Sequence, residues 1–171
     1  MMWSGGRATD SGPVRLSASP LRVEDIGEIS PMGLMVGGHV TPADHWGMRP
    51  KDRRGPIGRY EVLAPADGYI VAIQHRVKNI GDPKAPKGDP DQYRVMFEHS
   101  GTFWTYIDLV DRLDSSVLAA VGGSVPGGPT VLLRHPVKAG QVIGVMGGSH
   151  GLDFGVVNSE VTLGGFVVPS H

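Results

Sequence analysis

The sequence predicts an all-β domain, an antiparallel sandwich or barrel with at most one short helix. Its hydrophobic residues, 40% of the chain, fall in short clusters rich in Val, Ile and Leu that end at Gly, Pro or Asp. This pattern is typical of many short strands joined by tight turns. Only the segment from Asp111 to Val121 has apolar residues at clear helical spacing before a Gly-Gly stop. With 171 residues, the chain is long enough for one domain with a substantial core.

The chain divides into two regions. Residues 1–20 are polar and rich in Gly and Ser, which predicts a flexible or loosely docked arm. Residues 21–171 are expected to form a single β domain. We expect its first strand between Leu21 and Ile29. An apolar stretch broken by glycines follows from Pro31 to Val40, and a charged loop then extends to Arg59.

The remaining strands are predicted from apolar runs and alternation. An Asp67-Gly68 step favours a tight turn between two of them, and residues 78–91, with three prolines, read as an exposed loop. Alternation over Tyr93 to Glu98 predicts a strand whose hairpin partner is Thr102 to Leu109. The other predicted strands are Tyr60 to Leu63, Tyr69 to Gln74, Val131 to Leu133, Gln141 to Met146, Leu152 to Val157 and Phe166 to Val168.

The composition excludes several classes of function. The chain has 16 Lys and Arg against 17 Asp and Glu, a formal net charge of -1, so no field attracts a polyanion and we expect no nucleic-acid partner. Without cysteine there is no disulfide, thiolate metal site or thiol nucleophile. The chain has no apolar run of about 18 residues, so the sequence predicts no transmembrane helix. The first residues lack the apolar segment of a signal peptide, so the sequence shows no signal for secretion.

Several motifs, taken in order, carry a family resemblance. They are the turn Ala64-Pro65-Ala66-Asp67-Gly68, the segment from His99-Ser100-Gly101 to Tyr106-Ile107-Asp108-Leu109, and Val137 to Gly144 followed by Gly151-Leu152-Asp153-Phe154-Gly155. In this order the chain from about Pro31 to Pro169 resembles the lysostaphin-like and LytM-like zinc endopeptidases, which cut peptidoglycan cross-bridges. The resemblance implies the duplicated hybrid motif of twisted antiparallel sheets. It also implies an extracellular or cell-envelope location and a peptidoglycan, peptide or protein ligand.

The chain departs from this family at the residues that carry its chemistry. Members bind zinc through the His and Asp of an HxxxD motif and the second His of an HxH motif. The first His of HxH and the His of a YxHL stretch assist the attacking water. At the matching positions, this chain keeps His45 but has Arg49 for the Asp, Asp108 for the YxHL histidine, and Gly151 and Asp153 for the two histidines of HxH.

A rebuilt metal site is one interpretation of these departures. A catalytic zinc needs three protein ligands and an open position for water, and only His nitrogen and carboxylate oxygen are available as donors here. The candidate ligands are His39, Asp44, His45 and Asp153, and such a carboxylate-rich set also suits Mn or Mg. In the competing interpretation, the Thr41-Pro42-Ala43-Asp44 segment is an ordinary turn and the histidines are half-buried polar residues.

Further candidates lie in the groove that the resemblance implies. His99 and Asp108 are candidate catalytic residues, and Asp108 with Asp153 could act as acid and base if the pKa of one rises. Trp46, Trp104 and Tyr106 are candidate groove residues that could stack on sugar rings or a peptide. The structural alternatives are a hydrogen-bonded His99 at a strand end and aromatic side chains that fill the core.

Two hypotheses on function remain open. The first is a catalytically degraded member of this fold that acts as a binding or regulatory module for a glycan, a peptide or a partner protein. The alternative is a divergent metal-dependent hydrolase with a rebuilt site and zinc as its cofactor. A lipoyl or biotinyl carrier is disfavoured because no modifiable Lys stands in a hairpin tip. A sugar-transport phosphocarrier is disfavoured because His99 has no convincing partner histidine.

Overall fold

The structure, a computed structural model, describes residues 6–35, 42–76 and 91–162. These residues form two antiparallel sheets and one short helix, which confirms the all-β prediction. The larger sheet has the spatial order β1 (Ile26–Ser30), β2 (Trp46–Pro50), β10 (Leu152–Asn158), β6 (Phe103–Val110), β5 (Gln92–Glu98), β4 (Gly68–Arg76) and β8 (Thr130–Val137). The smaller sheet has the order β3 (Tyr60–Leu63), β9 (Val142–Met146) and β7 (Arg112–Leu113). A 3-10 turn spans Val23–Asp25, and the helix α1 spans Ser115–Ala120.

The core lies on the face of the larger sheet that we call the inner face. Phe97, Ile107 and Leu152 on this face are fully buried and belong to one cluster with Val62 and Ile143 of the smaller sheet. Because side chains alternate along a strand, the residues between them point to the opposite, outer face. The predicted polar site residues of β6 and β10 lie on that outer face.

The predicted hairpin from Tyr93 to Leu109 is confirmed. It forms β5 and β6, which pair antiparallel with Val95 opposite Ile107 and Met96 opposite Tyr106. The strands predicted on either side of Asp67-Gly68 are also confirmed, but they belong to different sheets. The Asp67 carboxylate accepts the Ala139 N–H at 2.9 Å and pairs with Lys138 at 2.7 Å. Asp67 therefore holds the turn against the connection between β8 and β9.

Other predicted boundaries differ from the observed ones. The helix predicted over Asp111 to Val121 begins only at Ser115, because Arg112 and Leu113 pair with β9 and the Asp114 carboxylate caps the helix through the Ser116 N–H at 2.9 Å. Strand β2 occupies part of the segment that the sequence predicts as a charged loop. The strand predicted over 166–168 lies outside the described residues.

The described part of the N-terminal arm contacts the end of β5 and the turn between β3 and β4 without forming a helix or strand. The N–H groups of Arg7 and Ala8 donate to the Glu98 carboxylate, and those of Ser17 and Ala18 donate to the Pro65 carbonyl at 3.0 and 3.1 Å. No helix among the described residues is long and apolar enough to cross a membrane.

Candidate functional site

Three neighbouring strands bring most of the predicted site residues together. Strand β10 lies between β2 and β6, so that Asp153 is opposite Gly47 on one side and Asp108 on the other. Its neighbours Leu152 and Phe154 are buried in the core, which turns the Asp153 side chain to the outer face. Asp108 and Asp153 are therefore cross-strand neighbours on that face.

His45 lies next to Asp153, immediately before β2. Its Nε2 atom is 3.5 Å from Asp153 Oδ1, and its Nδ1 atom is 2.8 Å from Asp44 Oδ1. The Tyr106 hydroxyl donates to the same Asp44 oxygen at 3.3 Å. The structure thus places Asp44, His45, Asp153 and Tyr106 in one cluster, which we call the His45 cluster.

The acidic groups of the His45 cluster have opposite pKa shifts. Burial raises the pKa of Asp153, and the nearby His45 only partly opposes this rise. The hydrogen bond with His45 lowers the pKa of Asp44. Burial, followed by the neighbouring Asp44 charge, raises the pKa of Tyr106 far above its ordinary value. At neutral pH the cluster therefore combines an ionised Asp44 with a protonated phenol that can donate to it.

Asp108 has a different environment, because two arginines enclose its carboxylate. Its side chain is only 1% exposed, and Oδ2 accepts from Arg94 Nε at 2.9 Å, from Arg94 Nη2 at 2.5 Å and from Arg76 Nη1. Oδ1 accepts the Leu109 N–H at 2.9 Å, and Leu109 has a φ of 70°. Arg94 also lies over the Tyr106 ring, 4.9 Å from its centroid. Both oxygens of this predicted catalytic residue are thus engaged in structural contacts.

The fit of a metal ion to the His45 cluster is partial. Two tetrahedral zinc ligands at about 2.1 Å from the ion lie roughly 3.4 Å apart, which is close to the separation of His45 Nε2 and Asp153 Oδ1. A carboxylate on the second ring nitrogen, as Asp44 provides, commonly orients a ligating histidine. Within the described ranges, however, no three His, Asp or Glu residues are arranged to hold a metal ion. His39, the fourth predicted ligand, lies outside the described residues.

His99 lies at the other end of β6, in the turn between β5 and β6. Its Nδ1 atom is 2.8 Å from the Asp67 carbonyl oxygen, and its Nε2 atom is 2.8 Å from Thr105 Oγ1. Its ring stacks on Phe97, with centroids 6.1 Å apart, and burial lowers its pKa. The structure does not bring His99 to the His45 cluster. Its two ring nitrogens are instead engaged by Asp67, in the turn before β4, and by Thr105 in β6.

The three predicted groove aromatics do not share one face. Trp104, Tyr106 and Asp108 are every second residue along β6, so all three side chains lie on the outer face. Trp46 is opposite Phe154, with ring centroids 5.8 Å apart, and therefore lies on the inner face. There it lines a pocket of about 520 Å³ together with Leu16, Phe103, Phe154, Val156 and Val161.

A second histidine beside the cluster is one that the sequence analysis did not identify. His150 Nε2 is 2.9 Å from Oδ1 of the buried Asp111, whose Oδ2 accepts the Gly147 N–H at 2.8 Å. His150 Nδ1 is 2.9 Å from the Gly151 carbonyl oxygen. The available signal was its position directly before Gly151, one residue ahead of the first histidine place in the HxH-like motif.

These residues surround a polar pocket of about 330 Å³, which we call the Arg49 pocket. It is lined by His45, Arg49, Leu109, Ser149, His150 and Asp153, among others. The aliphatic part of Arg49 lies over Gly151, since a Cβ added to that glycine would be 3.0 Å from Arg49 Cγ. A cationic side chain therefore occupies the space beside the HxH-like motif.

Comparisons with known proteins identify no relative of this chain. The Arg49 pocket and the His45 cluster are thus described by their own contacts. The resemblance to LytM-like endopeptidases stays an interpretation of motif order. No family model, no curated protein and no solved structure matches the chain.

Proposed function

We propose that the chain is a non-catalytic binding module on a scaffold similar to that of the LytM-like endopeptidases, and that it takes a peptidoglycan-type peptide or glycan in the Arg49 pocket. The observation that carries this proposal is the environment of Asp108. At the position of a catalytic histidine in those enzymes, this chain has a carboxylate buried between Arg76 and Arg94.

This arrangement is poorly suited to general base catalysis. A base that activates water needs an acceptor within hydrogen-bond reach of that water. Both Asp108 oxygens already accept hydrogen bonds, so taking a proton would disrupt the contacts with Arg76, Arg94 or the Leu109 N–H. The same contacts are favourable in a rigid binding surface, because they fix the outer face of β6 next to the pocket.

The charge of the Arg49 pocket indicates what part of a ligand it takes. Arg49 is exposed, and its guanidinium suits a carboxylate, which it can bind through two parallel hydrogen bonds. Cell-wall peptides carry such carboxylates, and because burial raises the pKa of the neighbouring Asp153, its repulsion of an anion is lost earlier as the pH falls. A peptide carboxylate is therefore the group that we assign to Arg49.

Co-sedimentation with insoluble peptidoglycan tests this assignment. We expect Arg49→Ala to weaken binding at least about tenfold, because each charge-assisted hydrogen bond that Arg49 makes contributes about 1.5 kcal/mol or more. The matched control is Arg54→Ala, which removes an exposed arginine from the nearby loop outside the pocket. Equal binding by both variants and the wild-type chain would show that Arg49 does not hold the ligand.

A metal-dependent hydrolase is the second candidate function, and the 3.5 Å approach of His45 Nε2 to Asp153 Oδ1 favours it. In that case, His45 and Asp153 would hold a zinc ion and Asp44 would orient the His45 ring. Bound zinc would supply a polarised water. This candidate requires stoichiometric zinc in the wild-type chain and in His135→Ala, and its loss in His45→Ala. A chain that takes up no metal at any added concentration would eliminate it.

A further inference from the structure

A buried carboxylate far from the Arg49 pocket suggests a second binding site. Glu98 ends β5, and its side chain is only 1% exposed. It is opposite Trp104 on β6 and Tyr69 on β4, so it lies on the outer face. Arg134 Nη1 donates to Glu98 Oε2 at 2.6 Å and stacks over the Tyr69 ring at 3.7 Å. The arginine therefore fixes one oxygen of Glu98 and leaves Oε1 for other donors.

The donors to Oε1 are backbone groups of the N-terminal arm. The N–H groups of Arg7 and Ala8 donate to it at 2.6 and 2.9 Å. Two residues further on, the Asp10 carbonyl accepts the Gly101 N–H of the β5–β6 turn at 2.8 Å. The described hydrogen bonds that hold residues 6–10 here thus use main-chain groups of the arm and do not depend on the side chains of these residues.

The site also distinguishes between residues at one position. A Cβ added to Gly6 would lie 2.6 Å from Glu98 Oε1, so a larger residue before the two donating N–H groups must displace either the Glu98 carboxylate or the arm. A Cβ added to Gly101 would lie 2.7 Å from the carbonyl oxygens of Ala8 and Asp10, so the turn side must also be glycine. The site thus fits the backbone of a segment that has glycine directly before the two donating N–H groups.

We propose that Glu98, Arg134 and Gly101 form a peptide-binding subsite, in which residues 6–10 lie as an internal ligand that a glycine-led peptide can replace. Without the arm, Glu98 Oε1 would lose the two N–H donors described for it, so the subsite is closed by the arm when no other peptide is present. This inference goes beyond the proposed function, because none of its contacts involves the Arg49 pocket.

The test uses the full chain and the peptide acetyl-Gly-Arg-Ala-Thr-Asp-Ser-Gly-amide, which has the sequence of residues 6–12. Gly6→Ala should release the arm, seen as faster amide hydrogen exchange at Arg7 and Ala8. The control Thr9→Ala changes an exposed arm residue with no side-chain hydrogen bond among the described contacts and should leave exchange unchanged. The peptide should then bind Gly6→Ala about tenfold or more tightly than it binds the wild-type chain or Thr9→Ala.

Two further changes identify the place of binding. Glu98→Gln or Gly101→Ala, each added to Gly6→Ala, should abolish peptide binding, and either one suffices if the other prevents folding. Arg49→Ala added to Gly6→Ala should bind the peptide normally, which separates this subsite from the proposed function. Unchanged exchange in Gly6→Ala, or no peptide binding once the arm is released, would show that the arm is only a structural clamp and overturn the proposal. Equal binding with and without Glu98→Gln and Gly101→Ala would also overturn it.

Discussion

Asp108 and its two arginines form an ion-pair network in which the two cations share one carboxylate. Removing a partner from a buried pair costs about 3 to 5 kcal/mol, because the remaining charge keeps its desolvation penalty. Since Arg76 is 46% exposed and can turn to solvent, we expect the lower value, about 3 kcal/mol, for Asp108→Ala. Urea denaturation measures this change in the free energy of unfolding.

The matched control for Asp108→Ala is Glu61→Ala, which removes the carboxylate of the exposed pair with Arg22. Exposed ion pairs contribute little to stability, so this variant should unfold close to the wild-type midpoint. If the two variants were equally stable, the Asp108 network would not hold the outer face of β6 together.

His99 predicts a pH dependence of stability. Burial holds its pKa below the ordinary value of 6.5, so the unfolded chain binds a proton more readily than the folded chain. The stabilisation from neutral His99 is therefore complete above pH 6.5 and is lost as the pH falls from 6.5 to the lower folded-state pKa. Thermal unfolding between about pH 7.5 and about pH 5.5 should show a falling midpoint, and His99→Gln should have a smaller slope. Equal slopes would mean that the protonation of His99 does not differ between the folded and unfolded states.

At the scale of elements, the contact between β6 and β10 depends on a glycine. Gly155 is opposite Tyr106, and a Cβ added there would lie 2.0 Å from the Tyr106 ring. Gly155→Ala must therefore displace Tyr106 and break its hydrogen bond to Asp44. We expect a loss of about 1 to 3 kcal/mol in the free energy of unfolding, as for other overpacked sites.

The control for Gly155→Ala is Gly47→Ala in the neighbouring strand β2. There the added Cβ would meet only the Ser30 side chain, at 3.3 Å, so a much smaller loss is expected. Nuclear magnetic resonance of the Tyr106 ring should show a changed environment in Gly155→Ala alone. An unchanged ring and an unchanged midpoint would contradict the packing of Tyr106 over Gly155.

The sequence predicts the elements whose local pattern agrees with their pairing. Strands β5 and β6 are rich in aromatic and β-branched residues, which favour strands, and the structure confirms both strands. Strand β2 is missed because Gly47 and Pro50 are poor strand residues, and its conformation depends on pairing with β1 and β10 on either side. The late start of α1 at Ser115 likewise depends on a distant strand, β9.

The site is predictable only in part, for a similar reason. Motif order identifies His45, Asp108 and Asp153, and Asp44 is a candidate only as a possible replacement for the ligand lost at Arg49. The structure brings all four to neighbouring strands or their ends. The partners of Asp108 are not predictable in this way, because Arg94 and Arg76 lie 14 and 32 residues away along the chain. The separation of Trp46 from Tyr106 follows from strand register, which the sequence does not display.

At the scale of the whole molecule, the core and the candidate site occupy opposite faces of the same sheet. The inner face of β10 buries Leu152 and Phe154, while its outer face carries Asp153. Outer-face residues that lie outside the small buried cluster around Met96 and Tyr106 can therefore change without altering the packing of the inner-face core. In the proposed function, this separation lets an arginine-bound Asp108 stand where the LytM-like endopeptidases have a catalytic histidine.

We propose that this chain binds peptidoglycan-type ligands without cutting them. One incubation tests it directly: the purified chain is mixed with insoluble peptidoglycan and added zinc, and both the protein in the pellet and the soluble fragments released are measured over time. We expect the protein to sediment with the polymer and no fragments to appear above the level without protein. Fragments that increase with time, depend on zinc and disappear in His45→Ala would contradict it.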